Sequence, residues 1–91
     1  MIMSENDHVI QYAFFKGVSV QSQSYLCDFH TLTYRDGTIG YRVQLQSVGK
    51  KEFVVDIDKT EQGAWRVSNS TVAIDADLEW RLIEIILNEK K

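Results

Sequence analysis

Cys27, Asp28 and His30 are the nearest this chain comes to a reactive cluster. A thiol beside an imidazole is the pairing of nucleophilic catalysis. However, residues 25–34 alternate in polarity like a strand, and on a strand positions i and i+3 point to opposite faces. His30 therefore does not activate Cys27, which reads as a small core residue. Asp28 and His30 do share a face, and a carboxylate can orient a basic imidazole. No nucleophile accompanies them, so the pair reads as polar surface. Asp56-Ile57-Asp58-Lys59-Thr60 begins like a calcium loop. That loop needs glycine at its sixth position and a bidentate acid at its twelfth; Glu61 and Val67 stand there instead. His8, Cys27 and His30 are too dispersed for the short paired spacings of zinc sites. Gly17, Gly37, Gly40, Gly49 and Gly63 form no phosphate-cradling pattern. Neither cofactor nor metal is expected, and the residues argue against catalysis.

Composition narrows the remaining classes. Ninety-one residues make one domain spanning 1–91, with residues 1–7 expected to be disordered. A chain this short buries only about 60–65% of its unfolded surface, so pairing with a second chain would stabilise it. At 44% hydrophobic and 25% charged it has the composition of a globular protein. A single cysteine fits a reducing compartment, and acids near the N-terminus stand where a signal peptide needs bases. The expected location is the cytoplasm. No apolar run approaches the roughly 18 residues of a membrane span. A net charge of −3 with scattered bases disfavours nucleic acid as a partner.

The elements around these residues are mostly strands. Residues 25–34 and 38–47 flank Arg35-Asp36-Gly37, a hairpin signal. A two-residue turn would put Asp28 and His30 on the face of Val43 and Leu45. A three-residue loop with Gly37 in the left-handed position pairs Tyr34 with Thr38. It groups Tyr25, Cys27 and Phe29 with Ile39, Tyr41, Val43 and Leu45, and turns Asp28 and His30 to water beside Arg42 and Gln44. Burying an unpaired acid costs far more than exposing Leu26 and Leu32, so the three-residue loop is expected. A turn at 48–50 leads to a strand over 51–57 with Phe53, Val55 and Ile57 inward. A short strand follows over 64–67, then a loop over 68–71. Residues 8–16 satisfy both a strand and a short-helix pattern, with β-branched and aromatic content favouring strand, before a polar loop at 21–24. The predicted architecture is α+β: an antiparallel meander of four to five strands with one C-terminal α-helix across it.

That helix, over 75–91, opens on Asp75 as N-cap, with Asp77 and Glu79 in its first turn and Lys90-Lys91 at its end. Leu78, Leu82, Ile85 and Ile86 form one apolar face; Trp80, Ile83 and Leu87 form a second. One sheet does not cover both. The expected function is a small non-catalytic interaction module, self-associating through Trp80, Ile83 and Leu87 as a homodimer or docking on a larger protein. The alternative is a ligand-binding protein or enzyme whose pocket between sheet and helix is lined by Tyr25, Phe29, Tyr41 and Trp65.

Overall fold

The computed structural model describes residues 8–47, 49 and 51–89. Its elements are β1 (His8–Val20), β2 (Gln23–Tyr34), β3 (Ile39–Ser47), β4 (Glu52–Lys59), β5 (Trp65–Ser70) and α1 (Ala76–Glu89). The strands pair antiparallel in sequence order, a five-stranded meander with one C-terminal helix. The fold is α+β. The expectations for residues 1–7, for Val48 and Lys50 of the second turn, and for Lys90-Lys91 lie outside the described residues.

The first hairpin takes the left-handed route. Residues 8–16 extend to Val20 as one 13-residue strand. The polar stretch 21–24 is a two-residue turn rather than a loop: Gln21 and Ser22 both have positive φ, 51° and 68°. Two left-handed residues make the turn that matches the right-handed twist of paired strands. Between β2 and β3, Tyr34 N–H donates to Thr38 O at 2.9 Å, and Gly37 sits at φ 91°. This is the three-residue loop. Asp36 fastens it by accepting from the Thr38 backbone N–H and hydroxyl. Cys27 accordingly pairs with Leu45, Phe29 with Val43 and Thr31 with Tyr41.

The core lies between this sheet face and α1. Cys27, Phe29, Val43, Leu45, Val55 and Ile57 are buried against Leu78, Leu82, Ile83, Ile85 and Ile86. Phe14 stacks on Phe29 with ring centroids 4.5 Å apart, and Tyr41 meets Trp65 edge-on at 5.7 Å. The helix approaches both edge strands, β1 and β5, so the sheet cups around it. Asp75 caps α1 by accepting from Leu78 N–H at 2.9 Å. At the same end Gln21 of the first turn donates to Asp77.

The opposite face departs from the expected solvated surface. Leu26 is exposed there, but Leu32 is only 1% exposed, between Ile10 and Gly40 in the register. Asp56 is buried, and Asp28 and His30 are half-buried. The reason is the length of β1, which carries large side chains across that face. Tyr12 lies edge-on to His30 at 5.5 Å. The segment expected as a loop over 68–71 also differs: β5 runs on to Ser70 by accommodating an extra residue opposite Asp56 and Ile57.

Candidate functional site

Three places on this frame could carry function: the outer surface of the helix, the aromatic core, and the polar face of the sheet. On the helix, the second apolar face is divided. Trp80 is 68% exposed and Leu87 is exposed, whereas Ile83 is 3% exposed and belongs to the core. Cupping of the sheet explains the division, because it brings β5 beside α1 and covers Ile83. Trp65, Arg66, Asp77, Trp80 and Ile83 line an open groove of 410 Å³ between β5 and the helix. Trp65 and Ile83 are its buried members, and Trp80 is its exposed large hydrophobic. Its rim is held by Glu79, which accepts from Arg66 Nε at 3.0 Å and from Val67 N–H at 3.1 Å. Burial pushes the Glu79 carboxyl up, but these two donors outweigh it and hold the group below its ordinary value.

The four aromatics of the alternative reading lie at different depths and at different ends of the sheet. Phe29 and Tyr41 are sealed in the core. Tyr25 borders a shallow cleft with Lys51, Phe53 and Leu78 at one end of the sheet. Trp65 stands at the other end, against Tyr41 and with the Lys59 ammonium 5.6 Å from its ring centroid.

The polar face holds two buried or half-buried acids, each bound by donors from other strands. Arg42 grips Asp56 in a two-point ion pair, Nε to Oδ1 at 2.8 Å and Nη2 to Oδ2 at 3.1 Å. Tyr34 OH donates to Asp58 Oδ1 at 2.7 Å, and Ser68 Oγ donates to the other Asp58 oxygen. Burial and the Asp58 carboxylate raise the Tyr34 phenol. Asp56 and Asp58, whose spacing only begins like a calcium loop, are therefore structural acceptors for β2, β3 and β5. Asp28 faces Tyr12 OH at a long 3.4 Å. His30 pairs with Arg42 across the strands, and its buried Nδ1 has no hydrogen-bond partner among the described residues. Cys27 lies on the other face of the sheet, with burial and the nearby Asp28 charge pushing its thiol up to about 12. A protonated, buried thiol is a poor nucleophile. Among the described residues, no group of three His, Cys, Asp or Glu side chains is placed to hold a metal ion. None of their helices is long and apolar enough to cross a membrane.

The sequence reading missed one surface. Ile10, Tyr12 and Phe15 of β1, with Leu26 of β2, are exposed large hydrophobics of one sheet face, and Val9 is exposed on the other. The signal was present: β1 mixes β-branched and aromatic residues with a single full charge, Lys16, and no proline. Together these features define an α+β meander domain whose exposed large hydrophobics include four on its first strand and two on its helix. Comparison with protein-family models, curated proteins and solved structures gave no match.

Proposed function

We propose that this protein is a non-catalytic interaction module that self-associates through the outer surface of its C-terminal helix. The observation that carries the reading is Trp80, left 68% exposed beside the groove it shares with Trp65 and Ile83. Tryptophan is enriched among the residues that dominate binding energies, where it fills a pocket in the partner. Leu87 lies two turns further along, about 10 Å away, so the helix presents two apolar anchors in line. Arg81 and Glu84 lie between them and are paired with each other at 3.2 Å. Burying these anchors against a second copy contributes about 25 cal/mol per Å² of apolar surface, less the cost of association. The test is the solution mass of wild type against Trp80→Glu, measured by light scattering behind size exclusion. The charge placed in a desolvated contact should lower the mass. An unchanged mass for Trp80→Glu would overturn the helix as the contact.

A further inference from the structure

We infer that β1 is a second self-association surface, pairing antiparallel with β1 of another copy to continue the sheet across a two-fold axis. This inference stands apart from the helix reading and does not depend on it. Strand β1 is the edge of the sheet. Val20 and Gln23 flank a two-residue turn, so they form a mutually hydrogen-bonded pair. Counting back through the alternating pattern of an antiparallel ladder, Val18, Lys16 and Phe14 direct their N–H and C=O groups at β2. The register slips by one at Ala13. Beyond that bulge, Gln11 and Val9 face β2. The outward-directed backbone therefore belongs to Ser19, Gly17 and Phe15 in one half, and to Tyr12, Ile10 and His8 in the other.

Ala13 puts the two halves of this edge out of phase. A regular strand can follow one half or the other, but not both. A second copy carries the same slip. In the antiparallel register centred between Ala13 and Phe14, Tyr12 meets Phe15 of the partner, Ile10 meets Gly17 and His8 meets Ser19. Each reciprocal pair then joins outward groups, over the whole strand, and pairs side chains of the same face. Tyr12 and Phe15, 59% and 53% exposed in the single chain, cover each other across the axis. Lys16, the only Lys, Arg, Asp or Glu of β1, falls opposite Gln11 rather than another lysine. A 13-residue strand is about 44 Å long. With a sheet about 10 Å deep, the contact removes on the order of 900 Å² in total before Tyr12, Phe15 and Leu26 fold over it. That approaches the roughly 1,000 Å² that a specific interface clears. The other edge is less suited, since β5 has six residues and a register slip of its own.

The test uses Trp80→Glu, which removes the proposed helix contact, and Trp80→Glu combined with Phe15→Lys. Trp80→Glu should remain a dimer of about twice the 10.5 kDa chain, and the double variant should be a monomer. Amide hydrogen exchange on Trp80→Glu gives a second readout. Ile10, Tyr12, Phe15, Gly17 and Ser19 should be protected in concentrated solution and lose that protection on dilution, while Val18 and Lys16 change little. A monomeric Trp80→Glu whose five outward amides exchange freely would overturn the inference and leave the helix reading intact. Protection confined to one half of the strand would overturn the two-fold register. If wild type and Trp80→Glu are both dimers with β1 protected, the helix reading fails and this one holds.

Discussion

At the scale of single residues, the polar face shows how buried acids are tolerated in a small domain. The buried Asp56 carboxylate accepts two donors from the Arg42 guanidinium. Removing one partner of such a pair strands the other without solvation. Arg42→Ala should therefore destabilise the fold by about 2–3 kcal/mol in chemical denaturation, discounted because Arg42 is partly exposed. Gly40 makes a different contribution. A Cβ there would fall 2.0 Å from Asp58 Oδ1 and 3.2 Å from Ile57 O. Gly40→Ala must therefore displace the Asp58 carboxylate and its bonds to Tyr34 and Ser68. A loss of about 1–3 kcal/mol is expected, as for other overpacked sites, and a melting temperature equal to wild type would contradict it. Cys27 titrates late: its thiol moves from an ordinary 9.0 to about 12. The stability this contributes is complete below pH 9 and is lost as pH rises toward 12. At pH 8 a thiol reagent should label the native protein slowly and the unfolded protein quickly.

At the scale of elements, turns and caps set the helix against the sheet. The Gln21-Ser22 turn holds two non-glycine residues at positive φ, a conformation that costs each about 1–2 kcal/mol. Ser22→Gly relieves one of them, offset by the larger entropy of glycine in the unfolded chain. A net gain of about 0.5–1 kcal/mol is expected, measured as a higher denaturation midpoint at unchanged slope. Glu79 ties α1 to β5 through Arg66 and Val67. Its carboxyl is held below the ordinary 4.5, so the stability it adds is complete above that value. That stability is lost as pH falls through the depressed one. Glu79→Gln should flatten the acid limb of the stability curve, and an unchanged limb would show that the tie is not ionic.

At the scale of the whole molecule, the two apolar surfaces lie on opposite sides, Trp80 beside β5 and the free backbone along β1. Two self-complementary contacts on one chain generate assemblies larger than a dimer. The wild type should therefore show a mass that rises with concentration past two chains, reduced to a dimer by Trp80→Glu. A wild type that stays monomeric at high concentration would remove both surfaces from consideration.

The meander, the Arg35-Asp36-Gly37 loop and the capped helix were legible in the residues, because each rests on short-range chemistry. Alternation sets strand faces, a glycine takes positive φ, and Asp75 satisfies the first free amides of α1. Desolvation selects the loop type, since the three-residue loop keeps Asp28 and His30 out of the core. Features set by how far the sheet bends were not legible in the residues. Cupping puts Ile83 under β5 and leaves Trp80 and Leu87 outside, although all three share one helical stripe. The length of β1 covers Leu32, on a face whose residues otherwise read as solvated. The slip at Ala13 decides which backbone groups the open edge presents. None of these follows from periodicity, because each depends on the register between strands and on curvature summed over the whole sheet.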